Sequence, residues 1–278
     1  MERGAVLFAL NHMVAPKLRL PAFFALAKAL GLSQVEIRND LAGNAILDGT
    51  SPADIRARAR NDGIEILSIN ALQRFNAWSP ERQSGAIELA DYAAQSGAKA
   101  LVLVPRNDGE GRGAQERLPN LVAALRALKP ILADRGLFGL VEPLGFEICS
   151  LRLKSEAVSG IDSVDGADVF KLVHDTFHHH LAGEAVLFPE RTGLVHISGV
   201  DDPDVSVRDM RDSHRILVDG ADRLGNIAQI SDLRAGDYVG PLSFEPFADS
   251  VHRLGEAELR NRLSTSMKLL ANGARSND

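Results

Sequence analysis

Eight short apolar runs, each followed by a longer stretch of helical periodicity, recur from one end of this 278-residue chain to the other. The runs are AVLFALN (5–11), VEIR (35–38), EILSIN (65–70), ALVLV (100–104), FGLVEP (138–143), FKLVHD (170–175), GLVHIS (193–198) and PLSFEP (241–246). They are continuous instead of strictly alternating, as expected of parallel strands covered on both faces. Between them, PAFFALAKALG (21–31), SPADIRARARNDG (51–63) and SPERQSGAIELADYAAQSG (79–97) each carry Pro near the start and Gly at the end, the start and stop signals of helices. Eight such units predict an α/β fold of the closed (β/α)8 TIM-barrel type, with an open doubly wound sheet as the weaker alternative. No GxGxxG follows the first run, and no GxSxG or P-loop pattern occurs.

Composition fits one domain spanning 1–278, with 271–278 expected as a frayed tail. Hydrophobic residues make up 45% and charged residues 24%, and no Pro/Ser-rich linker or block of like charge divides the chain. A formal charge of −6 opposes a nucleic-acid partner, which would call for clustered Lys and Arg, and favours a small neutral or anionic metabolite. The single cysteine, Cys149, excludes an intramolecular disulfide framework, in keeping with a reducing compartment. The opening MERGAVLFALNHM has too short an apolar run for a signal peptide or a membrane span, so no membrane partner and a cytoplasmic location are expected. A homodimer is the oligomeric expectation.

In a parallel barrel the chemistry lies at the C-terminal ends of the strands. Four late runs close on metal-ligand types: Glu142 in GLVEP, Asp175 in KLVHD, His196 in LVHIS and Glu245 in LSFEP, spaced 33, 21 and 49 residues apart. Each alone reads more simply as a helix cap or ion-pair partner. Together, three carboxylates around one mouth would be costly without a cation, and two Glu, one Asp and one His suit a single divalent ion: Mn, Zn, Mg or Co. Pro143 and Pro246 restrict the preceding glutamates to extended backbone, holding each at the rim.

These residues carry a resemblance. The chain resembles the xylose-isomerase-like barrel superfamily of sugar isomerases and epimerases, in which Glu, Asp, His and Glu from the last four strands hold one divalent metal. VEPLGF (141–146), FKLVHDTFHHHLAG (170–183), LVHISGV (194–200) and DSHRILVDGADRLGN (212–226) are more specifically similar to 2-keto-myo-inositol isomerases of inositol catabolism. The resemblance implies an isomerase that moves a carbonyl along a cyclic polyol, 2-keto-myo-inositol to a keto-chiro-inositol. Glu142 and Glu245 would then be both metal ligands and proton-transfer groups on either side of an enediolate that the metal stabilises. It also implies that His178, in the D-x-x-H pattern of Asp175-Thr-Phe-His178, contacts substrate oxygens, and that Arg215 binds a catalytic carboxylate or a substrate oxygen; a solvated loop arginine is the alternative there.

Consecutive residues on a turn or helix do not face one point, so His179 and His180 are expected to be structural. His174 precedes Asp175 on the strand, points to the other side, and is expected to be buried and hydrogen-bonded. At the early strand ends Asn11, His12, Arg38 and Asn70 either bind substrate hydroxyls or make loop hydrogen bonds. Trp78 either walls the pocket or, the stronger expectation, packs in the core or an interface. The segment RNDGEGRG (106–113) reads as a mobile rim or lid. Ketose 3-epimerases of this superfamily carry a second glutamate six residues after the strand-five ligand, where this chain has Ile148 beside Glu147. The rival readings are an inosose dehydratase or ketose 3-epimerase on the same site, and a non-catalytic sugar-binding regulatory barrel. An abasic-site endonuclease is opposed by the acidic balance and by the histidine placement.

Overall fold

A computed structural model describes residues 6–44 and 46–274. The strands β1 (Phe8–Asn11), β2 (Gln34–Arg38), β3 (Glu65–Gln73), β4 (Ala100–Val104), β5 (Phe138–Val141), β6 (Phe170–Asp175), β7 (Thr192–Ile197) and β8 (Leu242–Phe244) pair in chain order, all parallel. β8 returns to β1 in the register Phe8↔Leu242 and Leu10↔Phe244, closing the barrel. Around it lie α1 (Leu20–Ala29), α2 (Pro52–Asp62), α3 (Pro80–Ser96), α4 (Arg117–Ala133), α5 (Lys154–Asp162), α6 (Thr176–Ala182), α7 (Asn226–Ala235), α8 (Asp249–His252) and α9 (Glu256–Gly273). The expected (β/α)8 TIM barrel is therefore the fold.

The helix signals work as their chemistry requires. Ser51 and Ser79 accept the backbone N–H of Asp54 and Arg82, Pro52 and Pro80 occupy the first helical positions, and Gly63 and Gly97 end α2 and α3 at φ 67° and 84°. Asp175 ends β6 and caps α6 by accepting the N–H of His178, so one carboxylate belongs to both elements. Asn11, Asp175 and His196 lie within the ends of β1, β6 and β7, whereas Glu142 and Glu245 stand one residue beyond β5 and β8. α9 continues through Gly273, into the segment expected to fray; residues 275–278, and Ala5 of the first run, lie outside the described residues. None of the helices among the described residues is long and apolar enough to cross a membrane.

Strand alternation divides the side chains into two sets. Val35, Ile37, Leu101, Leu103, Leu172, Val195, Ile197, Leu242 and Phe244 belong to the large core between barrel and helices. The intervening residues face the barrel axis, and there the eight strands differ. β4 to β7 contribute Val102, Leu140, Val173 and Leu194, a small apolar cluster. β1, β2, β3 and β8 contribute Asn11, Glu36, Ser68, Asn70 and Ser243, and the other four all donate to the Glu36 carboxylate. The interior is thus dry along the lower part of β4 to β7, below Asp175 and His196, and polar along the other strands, and all of these polar side chains are buried.

Two histidines take up positions behind the strands. His174 faces outward, as expected, its Nδ1 2.8 Å from Lys154 Nζ and its Nε2 2.8 Å from Gln229 Oε1. Gln229 spends its amide hydrogens on the carbonyls of Thr176 and Leu224, so its oxygen accepts from His174 Nε2–H and Nδ1 accepts from Lys154. His12 does not line the mouth. It stacks on Phe23 with centroids 4.1 Å apart, and its Nε2–H donates to the Leu18 carbonyl at 2.9 Å.

Two outcomes follow from this packing. A Cβ at Gly145 would overlap the His178 carbonyl oxygen and lie 2.6 Å from Leu181 Cβ, so Gly145→Ala must push α6 off the loop after β5. It is expected to cost about 1–3 kcal/mol, read as a lower urea midpoint; an unchanged midpoint would refute the contact. Burial lowers the His12 pKa from the ordinary 6.5 to about 4. The unfolded chain therefore binds one more proton between those values, and stability rises with pH through that window and levels off above it. In His12→Gln the loss of stability between pH 7 and 4.5 is expected to shrink by roughly 2 kcal/mol. Parallel stability–pH curves for variant and parent would show that His12 does not carry the effect.

Candidate metal and active site

Closure of the barrel brings Glu142, Asp175, His196 and Glu245 from four consecutive strands to one point. Each offers a donor atom, the four atoms lie within 4.8 Å of one another, and all four residues are buried. His196 presents Nδ1 to the carboxylates: 2.9 Å from Glu142 Oε1, 3.2 Å from Glu245 Oε2 and 3.9 Å from Asp175 Oδ2. Its Nε2 faces the opposite way, 3.1 Å from Glu36 Oε1 and 3.2 Å from Glu36 Oε2.

Two buried arginines share the mouth. Arg215 donates from Nη2 to Asp175 Oδ2 at 2.6 Å and to Glu245 Oε2 at 3.1 Å, and from Nε to Ser198 Oγ at 3.0 Å. Arg38 donates from Nη1 to Glu245 Oε1 at 2.8 Å, while its Nε and Nη2 grip Asp40 at 2.8 and 2.7 Å. Both guanidinium carbons lie over the Phe247 ring, at 5.5 Å for Arg38 and 4.6 Å for Arg215. Arg215 is thus in the ion-paired position and not a solvated loop side chain.

The two glutamates sit in different fields. Burial pushes Glu142 up, and the favourable pull of His196 is opposed by Glu245 and Asp175, so its carboxyl lies above the ordinary range. Burial also pushes Glu245 upward, but His196, Arg215 and Arg38 outweigh it, and its carboxyl lies well below that range. Burial disfavours a charged His196, yet Glu245, Glu36 and Glu142 raise its pKa well above 6.5.

These charges test whether the donor set fits an ion. Four carboxylates buried at the axis, Glu36, Glu142, Asp175 and Glu245, face two buried guanidiniums. With His196 neutral, two negative charges are left over, which one divalent cation would balance. The donors, three carboxylates and one imidazole, are the hard and borderline types that Mn, Zn, Mg and Co accept. The residues present fit such an ion.

Above the four groups opens a cavity of about 360 Å³, lined among others by Arg38, Asn70, Glu142, His178, Arg215 and Glu245. His178 is buried against the edges of Phe146 and Phe177, and its Nδ1 has no hydrogen-bond partner. His179, with burial lowering its pKa to about 4, packs on His174 at 4.8 Å and stays outside the cavity lining, as does His180. In the segment 106–113, Asn107 and Asp108 reach the cavity rim. Arg74 holds Asp108 at 2.6 Å, Arg106 pairs with Asp108 and Glu110, and Gly109 N–H donates to the Ile148 carbonyl.

Two candidate substrate contacts are placed elsewhere. Asn11 is fully buried below the cavity and is not among the residues lining it. Its Nδ2 donates to Glu36 Oε1 at 3.3 Å and Glu245 Oε1 at 3.2 Å, because an inward residue at the end of so short a strand meets the carboxylates first. Trp78 is half-buried, packs on the core between barrel and helices, and also lies outside the cavity lining. Three residues escaped the sequence reading: Glu36, Asp40 and Phe247. Of these only Glu36 carried a signal, as a carboxylate set inside an otherwise apolar run.

Comparison with known proteins agrees with this architecture. The family model described as "Xylose isomerase-like TIM barrel" matches residues 24–272. A crystal structure of a xylose isomerase domain containing protein from Salmonella typhimurium LT2 is 35% identical, covers 97% of this chain and 99% of its own, and superposes with a TM-score of 0.89. An IolI protein with a bound zinc atom is 20% identical over 96% of this chain and 98% of its own, with a TM-score of 0.86. D-psicose 3-epimerase from Clostridium cellulolyticum H10, solved with D-tagatose, is 14% identical over 95% and 98%, with a TM-score of 0.74. No curated protein sequence matches the chain significantly. On the matched span and the shared barrel, this chain belongs to the xylose isomerase-like TIM barrel family.

Proposed function

We propose that the protein is a divalent-metal-dependent isomerase that shifts a carbonyl along a cyclic polyol, taking 2-keto-myo-inositol to a keto-chiro-inositol. The observation that carries this reading is the convergence of Glu142 and Glu245 on one cavity, 2.9 and 3.2 Å from the same nitrogen of His196. Such a shift removes a proton from the carbon beside the ketone and returns one to the former carbonyl carbon, work that two carboxylates at one substrate can share as base and acid.

Glu142, Asp175, His196 and Glu245 would hold the ion, which when bound supplies Lewis acidity to the substrate's carbonyl and hydroxyl oxygens. The remaining chemistry belongs to the side chains. Glu142, free of any guanidinium partner, is the carboxyl that more readily carries a proton. Glu245, clamped by Arg38 and Arg215, is the one kept as carboxylate. His178 lines the cavity wall, where its imidazole can meet a substrate hydroxyl. Arg215 faces both a carboxylate and the cavity, and can follow charge as it develops on a substrate oxygen.

The substrate class rests on the blocks that resemble keto-inositol isomerases and, for the fold, on the zinc-bound IolI neighbour. A ketose 3-epimerase is less well supported: Ile148 is about half exposed, and neither it nor Glu147 reaches the cavity lining.

Metal-loaded protein incubated with 2-keto-myo-inositol in heavy water is expected to give a new keto-inositol with deuterium incorporated, followed by NMR. Loss of water from the substrate would indicate the dehydratase, and no exchange with any polyol ketone would indicate a binding protein. Glu142→Gln and Glu245→Gln should each lower kcat by about 10²–10⁴-fold. Full activity and full metal content in both variants would overturn the site.

A further inference from the structure

Glu36 is a carboxylate at the middle of β2, completely buried, on a strand whose neighbouring residues Val35 and Ile37 face the outer core. An isolated carboxylate in such a place is very costly, so the five groups that surround it are informative. Ser243 Oγ donates to its Oε1 at 2.5 Å and Ser68 Oγ to its Oε2 at 2.6 Å. Asn70 Nδ2 reaches Oε2 at 3.1 Å and Asn11 Nδ2 reaches Oε1 at 3.3 Å. The fifth group is His196 Nε2, with both carboxylate oxygens within 3.2 Å.

The four polar donors come from β1, β3 and β8, so Glu36 is fixed on three sides by the barrel wall. On its fourth side it meets the ring nitrogen of His196 that points away from Glu142, Asp175 and Glu245. An imidazole ring is rigid and planar: fixing the direction of Nε2 fixes the direction of Nδ1. Asn11 extends the arrangement, because the same Nδ2 that meets Glu36 also meets Glu245 Oε1 at 3.2 Å.

We propose that Glu36 is the positioning residue of the metal site, orienting His196 directly and steadying Glu245 through Asn11. The proposal rests on the metal reading above and goes beyond it by assigning the site a support from the opposite half of the barrel. A carboxylate that orients a ligating histidine through its second nitrogen commonly changes ion affinity by 10–100-fold when it is removed.

The experiment measures Mn and Zn dissociation constants by calorimetry on metal-stripped protein, alongside the visible ligand-field bands of the cobalt-loaded form. Glu36→Gln keeps the shape and loses the charge. It is expected to weaken binding by about 10–100-fold and to move the cobalt bands, because a neutral amide that must also meet the donors from Ser68, Asn70, Asn11 and Ser243 holds Nε2–H less firmly. Ser243→Ala, which removes one donor to Glu36 and leaves the Glu36 and His196 side chains themselves intact, is expected to produce a smaller loss in the same direction and remains informative if Glu36→Gln does not fold. Unchanged dissociation constants and cobalt bands in the folded variants, even with a lower Tm, would reduce Glu36 to a buried structural carboxylate and overturn the proposal. Parent protein that takes up no divalent ion would overturn the metal reading itself, and the proposal with it.

Discussion

Charge buried at one end of the barrel is the constraint on which the rest of the structure depends. Glu36, Glu142, Asp175 and Glu245 lie at or just below the mouth with almost no solvent, and repulsion among carboxylates in such surroundings is far stronger than in water. The chain answers with positive groups of fixed direction. Arg215 bridges Asp175 and Glu245, Arg38 takes the other oxygen of Glu245, and His196 stands between Glu142 and Glu36. Phe247 lies against both guanidiniums and limits where they can swing. The geometry of the cavity is therefore an electrostatic solution before it is a binding site.

Strand alternation makes that solution available. A residue on the axis side of a strand cannot turn outward without exchanging every neighbour on that strand, so the apolar outer faces of β2, β7 and β8 hold Glu36, His196 and Ser243 inward. The polar network is an obligatory consequence of burying Val35, Ile37, Val195, Ile197, Leu242 and Phe244 on the other face. The dry cluster of Val102, Leu140, Val173 and Leu194 fills the axis below Asp175 and His196, where no charge has to be compensated.

This explains what was legible in the sequence and what was not. The strand and helix signals were local, and Ser51, Gly63, Ser79 and Gly97 end their helices by short-range chemistry that a sequence states directly. The four-residue cluster was legible because each member closes an apolar run, and strand ends converge in any closed parallel barrel. Partner choice was not legible. Whether Asn11 meets a substrate or a carboxylate depends on the registers that carry β1 against β2 and β8, and whether Trp78 faces cavity or core depends on the packing of the segment between β3 and α3. Glu36 carried one local signal, a carboxylate inside an apolar run, but its partner His196 lies 160 residues later and could not be read from that run.

The same division bears on how one barrel serves several reactions. On the proposed function, residues on the strands supply a place for a cation and two carboxylates beside it. The loops set which carbons and hydroxyls those carboxylates can reach. In this chain the rim of the cavity is formed at Asn107 and Asp108 after β4, at Phe146 after β5 and at Asp212 before Arg215, and on the proposed function these are the positions that would tune substrate choice. Their anchoring differs: Asp108 is tied to Arg74 and Arg106, and Asp212 is tied back to Arg215, whereas the Phe146 side chain is held by apolar and aromatic packing against the cluster that contains Phe177, and by the edge of His178. A change at Phe146 would alter the shape of the cavity without removing an ion pair, reaching Arg215 through the Phe177 ring beneath it, while a change at Asp212 would remove a direct ion pair to the guanidinium that holds Asp175 and Glu245. Substrate preference is thus free to vary on one side of the cavity and is bound to the charge network on the other.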